Sequence, residues 1–323
     1  FDTMFHDGRL EADPTRPSGI RTPLGREMVQ GFASVLSAQS MFPVLSPDEM
    51  AGHYNENKVA QAVRRGFLTY DGGAWSIISA RVAAIPEYNQ AFENINDAGH
   101  KVTFTDISDV IAEFIAFEWR ADNSLFDRHL RENIALPEAA QAGMELFYGK
   151  AKCSSCHSGQ FQTDHGFHAI AMPQIGPGKA ARFESHARDE GRMRVTGNPE
   201  DAYRFRTPSL RNVAETAPYG HSGAYASLRA VIEHHLDPQK GLQNYDRSQL
   251  ILPDLPQSND FRVLSDPQEL TAIAAANELT PISLQPAQVD QIIAFLETLT
   301  DQDSLKGRLG VPQQVPSGLP VDQ

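Results

Sequence analysis

The sequence predicts a mainly α-helical protein of two domains, with long irregular loops in the second. Three observations carry this. Residues 106–119 and 287–299 repeat apolar side chains at helical spacing, no segment alternates apolar and polar residues as a strand does, and Gly, Pro and His dominate between His157 and Pro199. With 323 residues and 41% apolar content, the chain can bury two cores without metal or disulfide staples.

Taken in order, residues 10–30 are rich in Pro, Gly, Thr and Arg and read as a loop, and residues 28–40 have the apolar recurrence of a short helix that Pro43 and Pro47 interrupt. Short helices are expected over 59–67 and 76–85. The strongest helix covers 106–119, where Ile107, Val110, Ile111, Phe114, Ile115 and Glu118 share a face expected to meet the core. A boundary is expected near residues 131–137, separating a first domain, 1–135, from a second, 136–300. There Pro137 can open a new helix running through Ala142, Leu146 and Phe147. Ser227 can cap a helix over 228–235, residues 287–299 form the last helix, and residues 301–323 are an extended tail.

No stretch approaches the roughly 18 uninterrupted apolar residues of a membrane span, and the first ten residues are too polar for a signal-peptide core. Because the chain starts with Phe1, a segment upstream is expected to have been removed. The net charge of -13 is spread along the chain, which argues against nucleic acid as a partner and suits docking of a small basic redox protein.

The two cysteines decide more than the charge. Both lie in Cys153-Ser-Ser-Cys156-His157, and the His directly after the pair marks thioether attachment of a c-type haem. A disulfide or redox dithiol would not need that His, and zinc would want four ligands. Covalent haem attachment takes place outside the cytoplasm, so an exported, periplasmic location is expected. A haem also explains the irregular stretch after His157, since the cofactor supplies the apolar core that this stretch lacks.

With His157 as proximal ligand, the sixth position of the iron decides between electron transfer and peroxide binding. Spacing leaves His165, His168, His186, His221, His234, His235, Met172 and Met193 eligible. The adjacent pair His234 and His235 point about 100° apart on a helix, so only one can face the iron. Gln39 and Glu49 flank a Pro-interrupted segment able to hold an amide and a carboxylate near a small oxidant.

These residues stand in an ordered set: His6-Asp-Gly-Arg9, Gln39 with Phe42-Pro-Val, Pro47-Asp-Glu-Met50, Phe126-Asp-Arg128, Gly143-Met-Glu-Leu-Phe147, the haem motif, Pro173-Gln-Ile-Gly-Pro-Gly178, Asp189-Glu-Gly-Arg192, Phe205-Arg-Thr-Pro-Ser-Leu-Arg-Asn212 and Thr216-Ala-Pro-Tyr-Gly-His-Ser-Gly223. The set resembles the bacterial di-haem cytochrome c peroxidases, a family that includes the MauG-like enzymes. The resemblance covers roughly residues 1–300, apart from an insertion between Arg9 and Gln39. It implies two cytochrome c-like haem domains with calcium between them, the haem of His157 being the second, electron-transfer haem.

By the same resemblance, Gln39 and Glu49 lie on the distal side of a first, peroxide-meeting haem, where Glu49 handles peroxide protons. His235 takes the sixth-ligand position, held by Met in the peroxidases and by Tyr in the MauG-like enzymes. Thr216 and Pro218 offer backbone carbonyls to calcium, with a third protein ligand upstream of Phe1. The family carries its first Cys-x-x-Cys-His upstream of Asp-Gly-Arg, yet no cysteine exists here outside Cys153 and Cys156. The first domain is therefore incomplete, and its haem is expected on an upstream segment or a second subunit. His6 occupies the place of the family's inter-haem Trp, while Trp75 and Trp119, the only tryptophans, are expected in the core.

Three functions follow. One is a peroxidase that takes electrons from a small cytochrome or copper protein and reduces hydrogen peroxide. The second is a MauG-like, peroxide-driven oxidase of a protein or organic substrate. The third is a plain electron-transfer cytochrome. The retained spacing of Gln39 and Glu49 favours peroxide chemistry over simple electron carriage.

Overall fold

A computed structural model describes residues 1–97, 99–178, 184–252, 255 and 258–321. The chain divides into two compact units. Unit 1 comprises Phe1–Met4, Arg9–Arg120 and Lys306–Gln323, and unit 2 comprises Phe5–Gly8 and Ala121–Leu305.

Unit 1 opens with a small antiparallel sheet in the order β1 (Thr3–Met4), β2 (Leu10–Ala12), β3 (Ile20–Arg21), in which Thr3 faces Glu11 and Ala12 faces Ile20. Five helices follow: α1 (Val35–Gln39), α2 (Lys58–Arg64), α3 (Ala74–Ala83), α4 (Pro86–Ile95) and α5 (Phe104–Glu118). The helix expected over 28–40 shrinks to α1. Gly31 adopts φ +117°, a conformation no helix accepts, and the Ser34 side chain caps the later start by accepting from the Ser37 N–H.

Helix α5 begins at a capping box in which Thr103 and Asp106 satisfy each other's backbone donors. It buries a face rotated from the one the sequence suggested, of which only Glu118 is buried. Phe104, Ser108, Ala112 and Glu118 point inward, while Val110, Ile111, Phe114 and Phe117 are more than 40% exposed. The small residues Ser108 and Ala112 let α1 come close, and Ser40 Oγ donates to Ser108 Oγ at 2.7 Å. Trp75 is in the core as expected, stacked on Phe104 at 4.7 Å. Trp119 is not: it lies half-exposed against Phe114.

The boundary falls at Arg120 rather than at 131–137, because α6 (Leu125–Glu132) belongs to unit 2. There Phe126 meets Phe295 edge-on at 5.1 Å and Asp127 takes two hydrogen bonds from Arg211. The rest of unit 2 is α7 (Glu138–Tyr148), β4 (Phe167–His168), α8 (Met193–Thr196), β5 (Phe205–Arg206), α9 (Leu228–Leu236), α10 (Pro238–Gln243), α11 (Pro267–Ala276), α12 (Pro286–Glu297) and α13 (Gln302–Lys306). Strands β4 and β5 pair antiparallel. Ser227 caps α9 as expected, and Pro137 precedes α7 as its N-cap.

The core of unit 2 is the crossing of α7 and α12, where Phe147, Val289, Ile292, Phe295 and Leu296 are buried. Gly143 permits the approach, since a methyl there would overlap the Gln291 carbonyl. This crossing fixes the end of α7, five residues before Cys153. The expected tail is partly helical, in α13, and residues 306–321 belong to unit 1, where the buried Glu118 carboxylate accepts from the Leu309 and Gly310 N–H groups. Residues 322–323 lie outside the described residues.

Candidate haem site

Cys153 begins a single 3-10 turn, Cys153–Ser155, entered through Lys152 at positive φ. The turn carries the His157 N–H to the Cys153 carbonyl at 2.9 Å, so the two thiols and the imidazole are presented by one short loop. Burial pushes the Cys153 thiol up to about 11 and also raises Cys156, which removes the low-pKa thiolate that a redox dithiol requires.

The structure brings His157 and His235 together. Their ring centroids lie 6.5 Å apart, close to what an iron with one imidazole nitrogen on each side needs: two bonds of about 2.0–2.1 Å plus two ring radii. Each ring is pinned at Nδ1, to the Gln162 carbonyl at 3.1 Å for His157 and to the Val231 carbonyl at 2.7 Å for His235. A carbonyl only accepts, so Nδ1 carries the hydrogen and Nε2 is left as the lone-pair nitrogen in both. Burial, and then the neighbouring His235, hold His157 down at about 4, and burial also lowers His235. Neutral imidazoles are the state that metal binding requires.

Four of the other eligible histidines are engaged elsewhere. His234 is 2% exposed and has both nitrogens occupied, Nδ1 by the Tyr225 hydroxyl and Nε2 by the Ile170 carbonyl, each at 2.8 Å. His168 bridges Asp164 and Glu278, His186 lies between Glu184 and Glu190, and His221 meets Asp189. His165 lies in an irregular turn beside Phe161, Met172 is buried in the unit 2 core and Met193 opens α8. Cys156, Asp164 and His168 offer atoms within 4.8 Å of one another, but His168 already contacts carboxylates through both nitrogens.

Asp189 was missed as a site residue. Its Oδ2 lies 3.1 Å from Nε2 of His6 and 3.2 Å from Nε2 of His221, beside a cavity of about 200 Å³. The buried Gln174 clamps its backbone from both sides. Burial works to raise its carboxyl, yet His221 and His6 hold it far below the usual range. All three residues stand in motifs of the ordered set, but no sequence spacing links them, so only the fold shows that they meet.

Gln39 ends α1 half-buried, and Glu49 is exposed in the turn after Pro43–Leu45. Among the described residues no hydrogen bond joins them. Thr216 and Pro218 lie in an exposed loop, and among the described residues neither of their carbonyls accepts a hydrogen bond.

A family model described as di-haem cytochrome c peroxidase matches residues 1–135, the part without cysteines. The cytochrome-c peroxidase IdrP1 of Pseudomonas sp. (strain SCT) is 30% identical over 298 residues, covering 77% of this chain and 74% of that protein. The chain belongs to the bacterial di-haem cytochrome c peroxidase and MauG-like family. Family membership makes it an oxidoreductase and, with the Cys153-x-x-Cys156-His157 spacing, a carrier of covalent haem c.

The methylamine utilization protein MauG of Methylorubrum extorquens is 30% identical over 210 residues, but the chain spans only 50% of its length. Among solved structures, a MauG-like protein associated with microbial copper homeostasis is 27% identical, with a TM-score of 0.54 over 84% of this chain and 71% of that one. The diheme peroxidase BthA of Burkholderia thailandensis, 19% identical, shares the fold with a TM-score of 0.57 over 94% of this chain and 67% of its own. The mainly α-helical fold is thus that of the di-haem peroxidase family. No described helix is long and apolar enough to cross a membrane.

Proposed function

We propose that the chain is part of a peroxide-dependent di-haem oxidoreductase that works in the periplasm. The observation that carries this is the His157–His235 pair, spaced for one iron and pinned so that both Nε2 atoms are free for it. A bound haem would supply one-electron transfer at this pair, and a first haem, expected on polypeptide outside residues 1–323, would supply peroxide reduction.

The residues of this chain then have distinct tasks. Cys153 and Cys156 would anchor the haem and His157 and His235 would ligate it, and an imidazole in place of a thioether would lower its potential. Gln39 and Glu49 flank the peroxide side, Gln39 to orient and Glu49 to move a proton between the peroxide oxygens. Calcium takes the Thr216 and Pro218 carbonyls, hard oxygen ligands that waters can complete. The acidic chain receives electrons from a small basic cytochrome or copper protein.

A second reading is MauG-like oxidation of a protein or organic substrate. In its favour is the sixth-ligand position that the resemblance assigns to His235, a position the peroxidases give to Met. One experiment separates the readings on the native assembly. Intact mass and haem-to-polypeptide ratio are measured first, with two haems per assembly and one per residues 1–323 expected. Reduced cytochrome is then mixed with peroxide. Oxidation of the cytochrome supports the peroxidase, whereas peroxide-driven oxidation of a partner protein without any donor supports the second reading. A single haem with no reaction toward peroxide would overturn both.

A further inference from the structure

Directly behind His235 lies a buried phenol–imidazole pair that ligation does not use. Tyr225, 4% exposed, sits with its hydroxyl 2.8 Å from Nδ1 of His234, and Nε2 of His234 lies 2.8 Å from the Ile170 carbonyl. Since that carbonyl can only accept, Nε2 carries the hydrogen, Nδ1 holds the lone pair, and Tyr225 is the donor. Gly241 packs so tightly on the ring that an added methyl would meet Nδ1, which holds the imidazole in place. His234 and His235 are chain neighbours with ring centroids 6.2 Å apart, so the pair adjoins the ligand of the haem site.

Four other tyrosine hydroxyls have different partners. Tyr148 donates to the Gln162 side-chain oxygen, Tyr219 and Tyr245 to backbone carbonyls, and Tyr203 to Glu269, a carboxylate already paired with Arg188. A buried phenol gives up an electron readily only when its proton has somewhere to go. An amide oxygen cannot keep that proton, and an imidazole can.

We propose that Tyr225 is a redox-active tyrosine that stores one oxidising equivalent beside the haem. One electron leaves the ring for a one-electron oxidant, in the working protein a peroxide-oxidised haem. The phenolic O–H bond breaks and an N–H bond forms at Nδ1 of His234, leaving a neutral phenoxyl radical and an imidazolium whose Nε2–H stays bonded to the Ile170 carbonyl. The proton never leaves this hydrogen bond, and it returns when a donor supplies the electron. The proposal rests on the peroxide reading only for the identity of the oxidant in the cell.

The test therefore omits peroxide. Haem-loaded protein is oxidised by photogenerated tris(bipyridine)ruthenium(III), frozen, and examined by electron paramagnetic resonance. The expected signal is a tyrosyl radical with a nitrogen coupling that changes on 15N-histidine labelling of the unmodified protein. Tyr225→Phe should abolish that signal, Tyr203→Phe and Tyr245→Phe should retain it, and His234→Gln should lower its yield by about 100-fold, the lower range for losing a positioned proton acceptor. A radical without imidazole coupling in the unmodified protein, or an unchanged signal in Tyr225→Phe, would overturn the proposal. If, in the native assembly that carries both haems, the signal forms by light but not with added peroxide, the tyrosine assignment stands and the peroxide reading fails.

Discussion

Adjacent histidines at the end of α9 have opposite fates, and the 100° between them is the reason: His235 turns toward His157 while His234 turns into the core. His235→Ala should convert the ferric haem from low spin to high spin and raise its potential, read by absorption and by redox titration; an unchanged low-spin spectrum would remove His235 as the ligand. Asp127 illustrates a structural charge. Burial works to raise its carboxyl, but Arg211 and Ser124 hold it below its ordinary range. Its stabilising contribution is therefore fully present above the unfolded value of about 3.9 and is lost as pH falls through the lower folded value. Asp127→Asn should cost about 3 kcal/mol at neutral pH, the lower figure for breaking a largely buried ion pair, and should flatten the pH dependence of unfolding below about pH 4, as followed by urea titrations across that range. At this scale the haem motif was legible because covalent chemistry fixes its spacing. Tyr225 and Asp189 were not, because their partners reach them through the fold.

Helices α7 and α12 were readable because a long apolar period survives burial on one face. Helices α4, α10 and α11 were not foreseen, and all three start at a proline: Pro86, Pro238 and Pro267. Proline reads as a breaker, yet at the first helical position its missing N–H costs nothing and its fixed φ suits the helix. The face of α5 shows a second limit of periodicity. An apolar stripe marks a surface that wants cover, but the chain packs the neighbouring, small-residue face, which shares only Glu118 with the stripe, since Ser108 and Ala112 allow the closer approach to α1. The α7–α12 crossing depends on the same close-approach device. Gly143→Ala should push the helices apart at a cost of about 1–3 kcal/mol, the range for overpacking a core, and should lower the fraction of chains on which haem is attached, because α7 leads into Cys153. Denaturant midpoints and haem content per chain would show it; a variant as stable as the parent would mean that the crossing relaxes freely.

For the whole molecule, length and composition foretold two units and a helical class, but not the threading between them. Unit 1 is discontinuous: residues 121–305 are inserted between Arg120 and Lys306, and the returning tail is held where Glu118 accepts from Leu309 and Gly310 and Arg308 donates to the carbonyls of Phe117, Glu118 and Arg120. Glu118→Ala should destabilise unit 1 by about 1.5–3 kcal/mol, the worth of hydrogen bonds to a charged group, and leave the haem spectrum of unit 2 unchanged. Amide exchange at Leu309 and Gly310 would report it, and protection equal to that of the parent would show that the tail is held by other contacts. This threading also sets a timetable. Domains fold as units during synthesis, N-terminal parts first. Here the earlier unit is the later one to finish, since its closing segment is translated only after all of unit 2. Until the ribosome reaches residue 310, Glu118 has no amides to bind, and the cysteines of unit 2 are made before unit 1 is whole. A nick just before Lys306 would thus leave a complete haem-attachment unit joined to a neighbour cut from its closing segment.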